Sequence, residues 1–479
     1  MNLIHVIQHH ARVRPYDMAL IHPTGAVNYA QLAGVVAGLL TKLRSHGIEP
    51  GKAVAIYVSD PFLHLALALA AMANGTPSVS AHPNYDPMPP GTDVQACLVD
   101  RALAFTPASR VVPVGSNWIT EIAHGPNTAI MDGGFSDPEA ICRMYASSGT
   151  TGVPKLIGHS CSRQEAMAWR GLMLDPQAHG PNLCMMWFST IGGWGTAHMT
   201  LMHGASLVMA NDPLAVLRSI NLYRVRFLRA SPQQLQALLE IVRGRPVRFP
   251  SLEKVEFAGA SIPPPVLLGA RAALCSNVVG VYGSTEVGLV TQAPAAVLHA
   301  FPDAAGYVAP DVEVRIVDDA GAPVGFDVEG LVRVRTPQMA KSYMGDPKAS
   351  EAAFPNGWFA PGDLGILRAD GLLRVTGRAD EMINAGGVKL SPAIVDDFLL
   401  TQPGIKDAAA FAFRQPGRHD EVWAAVVCGE GFDERAVLAA AALRLNSRAP
   451  AKLVRVPEIP RNAMGKAMRQ KLSADALQT

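Results

Sequence analysis

From Lys52 to Ser59 the chain reads KAVAIYVS, with apolar and small positions alternating as in a half-buried strand. The apolar run Phe62 to Asn74 that follows has the length of a helix, and Gly75 stands where a helix C′ residue would. Together they predict a β-α step. The same rhythm returns downstream: strand Ser206 to Ala210, helix Pro213 to Ile220, strand Arg226 to Ala230, helix Pro232 to Arg243 capped by Ser231, strand Lys254 to Phe257, helix Pro264 to Cys275 and strand Asn277 to Tyr282. Such alternation predicts an α/β fold whose mostly parallel sheets are covered by helices.

Beyond Ala305 the helices drop out, and short strands follow one another at Val312 to Asp318, Gly330 to Thr336 and Leu372 to Gly377. This predicts a small antiparallel, β-barrel-like subdomain. After Gly377 a tail of about a hundred residues, close to the usual domain size, carries a strand at Val422 to Gly429 and amphipathic helices at Ile394 to Thr401 and Glu434 to Leu445. A boundary is therefore expected at Gly377 to Asp380, with a large N-terminal domain over 1–377 and a small α+β C-terminal domain over 378–479. The tripeptide Arg378-Ala379-Asp380 reads either as a hinge or as a plain surface turn.

Composition narrows the function. With 479 residues, 49% hydrophobic and 17% charged, the chain can bury several cores. Its 41 basic and 40 acidic residues leave a formal charge of +1, so neither a nucleic-acid partner nor an acidic-substrate trap is indicated, and any polyanion must be met locally. Six cysteines, Cys97, Cys142, Cys161, Cys184, Cys275 and Cys428, form no CxxC pair, which speaks against a zinc site or disulfide framework and for a reducing, cytoplasmic setting. The N-terminus does not read as a secretory signal, and the longest apolar run, interrupted by His64, is too short to span a bilayer. A soluble protein is expected.

Four segments can carry chemistry. Tyr145 to Lys155, YASSGTTGVPK, offers backbone amides and hydroxyls to a phosphate chain as an anion nest, or forms an ordinary Ser/Thr/Gly turn. It is not the loop of kinases and ATPases, because Pro154 stands before the lysine and has no amide to give. Gly280 to Gly288, GVYGSTEVG, lies where a strand ends, the place at which open α/β sheets hold ligands. Its Tyr282 can stack on a base and Glu286 can hold Mg²⁺, or the two are a buried tyrosine and a solvated glutamate. Asp363 follows a Pro-Gly turn and either accepts two ribose hydroxyls or closes an Asx turn. Lys466 follows a glycine near the end of the chain, where a lone lysine is commonly a solvated charge.

Taken in order, these segments resemble the adenylate-forming superfamily of acyl-CoA and aryl-CoA synthetases, peptide-synthetase adenylation domains and firefly-type luciferases. The resemblance rests on the loop at 147–155, AGAS at 258–261, YGSTE at 282–286, GD at 362–363, GRADEMINAGG at 377–387 and GK at 465–466, and it spans nearly the whole chain. It implies ATP, Mg²⁺ and coenzyme A as co-reactants. Ser147, Ser148, Gly149, Thr150, Thr151, Gly152 and Lys155 would cover the β- and γ-phosphates, and Gly259, Ala260, Gly283 and Ser284 would help line the nucleotide site. Thr285 would contact the α-phosphate, Glu286 bind Mg²⁺, Tyr282 stack on adenine, Asp363 take the ribose hydroxyls, and Arg378 lie near ribose and phosphate. Lys466 would bridge carboxylate and α-phosphate during adenylation. The C-terminal domain would then turn about Asp380, bringing Gly386 and Gly387 to the thiol path. Charge cancellation is the chemical reason for such a site, since a carboxylate attacking the α-phosphate brings two anions together.

The chain departs from the family pattern at several places. Leu156 stands for the glycine after the loop lysine, Cys161 for a histidine, and Pro361 for a threonine. In WFSTIGGWG, Thr190 replaces a histidine to which a gating role is ascribed. Ser189 stands where amino-acid-activating relatives carry an aspartate for the substrate ammonium, which points to an aryl or aliphatic carboxylate instead. Trp187, Trp194, Val281 and Leu289 are candidates to wall an apolar acyl pocket, or else plain core. Because the chain ends soon after Lys466, the acceptor thiol is expected from solution: coenzyme A first, a separate acyl-carrier protein as the rival. A non-catalytic nucleotide-binding relative is the other alternative. A homodimer is possible on this reading.

Overall fold

The computed structural model describes residues 2–477 apart from 24, 82–91, 104, 108, 116, 124–133, 148–154, 176–179, 246–248, 386–387, 415–419 and 462–466. The expected β-α rhythm is present within a residue or two at most ends: strand Val54–Tyr57, helix Pro61–Ala73, then Leu207–Val208, Pro213–Leu222, Phe227–Ala230, Pro232–Val242, Lys254–Ala258, Pro264–Ala273 and Val278–Ser284. Three of these helices start alike. Asp60, Asp212 and Ser231 each accept a backbone amide two or three residues into the helix, and each is followed by a proline whose missing N–H costs nothing there.

Two large sheets result. In the first, Arg110–Pro113, Ala96–Val99, Val54–Tyr57, Ser78–Ser80 and Ile141–Ser147 run parallel in that spatial order, and Lys155–Ser160 adds an antiparallel edge. The second has 13 strands among the described residues. Its parallel part ends at Val278–Ser284, where the hairpin to Gly288–Pro294 reverses the chain, and every later strand joins antiparallel. The short strands expected to form a small antiparallel, barrel-like subdomain, here Glu313–Val317, Glu329–Arg335, Asp363–Leu367 and Leu372–Arg378, do pair antiparallel, and they continue the edge of the large sheet. They keep their own core, which includes Val312, Ile316, Val332, Val334, Phe359 and Leu373.

From Ile383 onward the chain packs around separate apolar clusters: strands Ile405–Phe413, Glu421–Cys428 and Lys452–Arg455 against helices Pro392–Leu400, Glu434–Leu445 and Arg469–Ala476. Among the described residues no helix is long and apolar enough to cross a membrane.

A buried ionic group ties the second sheet to the helix that begins near the expected acyl pocket. Register aligns Phe227 with Lys254 and Arg229 with Glu256. The Lys254 ammonium contacts Asp175 and lies 3.3 Å from Glu256, whose other oxygen is 2.6 Å from Arg229. Arg229 also donates to Thr196 Oγ1 at 2.8 Å, on helix Ile191–Met202.

Candidate active site

Strands Ile141–Ser147 and Lys155–Ser160 form a hairpin in which Ser147 pairs with Lys155, so the Ser/Thr/Gly segment is its tip. Ser148, Gly149, Thr150, Thr151 and Gly152 lie outside the described residues. The Lys155 ammonium sits 5.0 Å above the Tyr343 ring. Leu156, in place of the family glycine, is buried and bridges to Met344, whose amide donates to the Leu156 carbonyl at 2.7 Å. The Leu156 side chain packs with Met344 in an apolar cluster of the first sheet.

The hairpin Val278–Ser284 to Gly288–Pro294 carries the second group of candidates at its turn. A Cβ on Gly283 would lie 2.1 Å from the Gly288 carbonyl oxygen, so no larger residue fits there. Gly259, at the end of strand Lys254–Ala258, has φ +95°, a conformation that favours glycine, and Ala260 beside it is exposed. The Ser284 hydroxyl is buried without a hydrogen-bond partner among the described residues. Glu286 is 7% exposed, and its Oε1 accepts from the Tyr343 hydroxyl at 2.9 Å. Burial, followed by the Glu286 charge, raises the Tyr343 pKa, so this hydroxyl stays a donor.

Asp363 faces Arg378 across paired strands. It is 8% exposed and accepts from the Tyr282 hydroxyl at 2.5 Å and from Arg378 Nη1 at 3.2 Å. Burial and the carboxylate together push the Tyr282 hydroxyl far above its ordinary pKa. Arg378 reaches further, to the Pro361 carbonyl at 2.9 Å and to both oxygens of Asp380 at 2.9 and 3.2 Å. The bond uses the backbone carbonyl of residue 361, which does not depend on the proline there. Tyr282, Asp363, Arg378 and Asp380, drawn from three distant stretches of sequence, form one hydrogen-bonded line.

The acyl-side candidates separate. Thr190 caps helix Ile191–Met202: its hydroxyl accepts from the Gly193 amide at 3.0 Å and donates to the Trp187 carbonyl at 2.8 Å. Trp187 and Ser189 are half-buried just ahead of it, Trp187 edge-on to His64 at 5.3 Å. Val281 is half-buried on its strand. Trp194 lies in the core instead, its indole N–H donating to Gln164 Oε1 at 2.5 Å and the Arg143 guanidinium 4.1 Å over its ring. A buried indole needs such a partner. Leu289 packs with the core of the antiparallel strands, and Arg170 holds its carbonyl at 2.8 Å. Lys466, Gly386 and Gly387 lie outside the described residues.

Three contributors were not legible in the sequence: Tyr343, His159 and Arg163. His159 Nε2 and Arg163 Nη2 each lie 3.1 Å from the Thr285 carbonyl, and Arg163 Nη2 is 2.8 Å from that of Glu286.

A family model described as AMP-binding enzyme matches residues 7–344. The chain belongs to this AMP-binding enzyme family. An indoleacetate–CoA ligase from Aromatoleum aromaticum is 28% identical to this AMP-binding enzyme over 500 residues, covering 97% of the chain and 96% of that ligase. A fatty acid–[acyl-carrier-protein] ligase, MmaC, from Mycobacterium marinum is 28% identical over 527 residues, covering 98% and 96%. Among solved structures, the o-succinylbenzoate CoA synthetase MenE of Bacillus subtilis, in complex with the acyl-adenylate OSB-AMP, superposes with a TM-score of 0.86 at 23% identity, covering 98% of this chain and 97% of that one. The adenylate-forming fold expected from the motifs is the fold of this AMP-binding enzyme.

Proposed function

We propose that this AMP-binding enzyme activates an aryl or aliphatic carboxylate with ATP, forming an acyl-AMP and releasing pyrophosphate, and then passes the acyl group to the thiol of coenzyme A. The observation that carries the reading is the hydrogen-bonded line Tyr282–Asp363–Arg378, whose Tyr282 lies on the strand leading into the Thr285–Glu286 turn. It provides an aromatic face, a carboxylate for vicinal hydroxyls and a cation for phosphate, in the order a nucleotide presents them. The similarity to an indoleacetate–CoA ligase supports the acid class and the acceptor.

Chemically, the site has to let a carboxylate approach a phosphate. Asp363, held by Arg378, orients the ribose; Thr285 offers a hydroxyl to the α-phosphate; Lys155 and Lys466 bring cations to the phosphate chain and to the attacking carboxylate. Glu286 fits Mg²⁺, a hard ion that is commonly held by one or two carboxylates together with substrate phosphates: its carboxylate is buried, and Tyr343 fixes one of its oxygens. When bound, the ion would supply charge neutralisation at the phosphates. Trp187, Ser189 and Val281 remain the candidate walls of the acyl pocket, with no acidic group to pair an α-ammonium at Ser189.

On this reading residues 378–479 form the mobile domain, with Asp380 as pivot and Gly386 and Gly387 on the thiol path. The Arg378–Asp380 pair would be made and broken at that pivot. All six cysteines are free thiols, which fits a reducing, cytoplasmic compartment.

Similarity to an acyl-carrier-protein ligase favours a second acceptor. Purified enzyme given ATP, a panel of acids and either coenzyme A or carrier protein separates the two. Acyl-CoA is the expected product, and thioester on the carrier alone would replace coenzyme A as acceptor.

A further inference from the structure

Arg163 is the third residue of helix Cys161–Leu174, and its amide is held by the Ser160 hydroxyl at 3.2 Å. From that fixed base the guanidinium reaches the turn between Ser284 and Gly288, where Nη2 donates to two successive carbonyls, Thr285 at 3.1 Å and Glu286 at 2.8 Å. His159, on the strand leading out of the Ser/Thr/Gly loop, adds a third donor at 3.1 Å to Thr285. A carbonyl only accepts, so His159 carries its proton on Nε2, and burial keeps the ring neutral.

Two features separate this contact from ordinary packing. A trans peptide is planar, with C=O and N–H antiparallel, so anchoring these two carbonyls also fixes the directions of the Glu286 and Val287 amides and the exits of the side chains between them. Arg163 Nε and Nη1, moreover, are buried with no hydrogen-bond partner among the described residues. A buried guanidinium with idle donors is costly, and an apolar side chain would pack there without that cost. What the arginine adds is the hold on the turn. The helical turn in which Cys161 replaces the family's histidine thus still sends a nitrogen donor into the site.

We propose that Arg163 is a positioning residue for adenylation, fixing the Thr285–Glu286 turn against the phosphate-loop hairpin so that hydroxyl and carboxylate are already aimed when charge develops on the phosphates. This rests on the roles proposed for Thr285 and Glu286. Arg163 touches no reacting atom; it acts through the peptide units it holds.

The test compares wild type, Arg163→Met and Arg163→Lys in the full-length protein by two readouts: hydrogen exchange of the peptide covering 284–289, and carboxylate-dependent exchange of pyrophosphate into ATP. In Arg163→Met the turn amides exchange about tenfold faster or more. The kcat of pyrophosphate exchange falls about 10- to 100-fold while the ATP KM stays within about threefold. Arg163→Lys, with one cationic point in place of a fork, lies between, and it alone is read if the methionine variant does not fold. A folded variant with native amide exchange, or one whose ATP KM rises at unchanged kcat, overturns the proposal. Absence of pyrophosphate exchange in the wild type would instead remove the functional reading, and amide exchange would still decide whether Arg163 holds the turn.

Discussion

The Tyr343 hydroxyl donates to Glu286 Oε1 at 2.9 Å while the same ring lies under the Lys155 ammonium at 5.0 Å. One side chain thereby links the lysine that follows the Ser/Thr/Gly segment to the carboxylate proposed to bind Mg²⁺. Tyr343→Phe keeps the ring and its cation contact and removes only the hydrogen bond. A hydrogen bond to a charged group is worth about 1.5–3 kcal/mol, so pyrophosphate exchange should fall about tenfold or more, with a higher Mg²⁺ concentration needed for half-maximal rate. Steady-state kinetics at varied Mg²⁺ check this, and an unchanged Mg²⁺ dependence would leave Tyr343 a core residue.

The buried group of Lys254, Asp175, Glu256 and Arg229 yields a stability prediction. Lys254 is 4% exposed and Glu256 1%, and burial raises the Asp175 pKa even with Lys254 beside it. Lys254→Met strands Asp175 and leaves Glu256 with Arg229 alone, a loss of about 3–5 kcal/mol. Adding Asp175→Leu should recover much of it, because the unpaired charge is then gone. Urea midpoints of the two variants decide; a shift under about 1 kcal/mol in the single variant would be the wrong result.

Acid sensitivity follows from buried histidines. Burial lowers the His198 pKa to about 3, and both its ring nitrogens are without partners among the described residues. Burial likewise drives His159 well down. A depressed pKa means that the unfolded chain takes up the proton first. Stability is therefore whole above about pH 6.5, the unfolded value, and declines as pH falls toward the folded pKa. For His198 this costs about 2 kcal/mol between pH 7.5 and pH 5. His198→Leu should remove its share from the urea-measured difference between those two pH values and leave stability at pH 7.5 the same or higher. Equal pH dependence in variant and wild type would refute the assignment.

Much of this architecture is readable from local signals. Asp60-Pro61, Asp212-Pro213 and Ser231-Pro232 announce helix starts, and Glu434 to Leu445 is helical over the span its pattern gives. The hairpin that carries the Ser/Thr/Gly segment is not readable in this way. Strand Ile141–Ser147 places Arg143 inward, fully buried against Ser78, Ser80 and the Phe188 carbonyl, so its polar position mimics a solvent face. The charges of Arg229, Lys254 and Glu256 mislead similarly, alternating along two strands as if exposed while pairing across the sheet. At the site, Tyr282 and Asp363 are marked by glycine-rich turns. Arg163, His159 and Tyr343 act on groups 57 to 126 positions away and, in two cases, on backbone carbonyls, which leave no residue-specific trace.

Carboxylate-dependent exchange of labelled pyrophosphate into ATP, measured for wild type and Lys466→Ala with aryl and aliphatic acids, tests the central claim most directly. Exchange by the wild type with at least one acid, lost in Lys466→Ala while nucleotide binding persists, is the predicted result. Failure of every acid to make the wild type split ATP into AMP and pyrophosphate would contradict it.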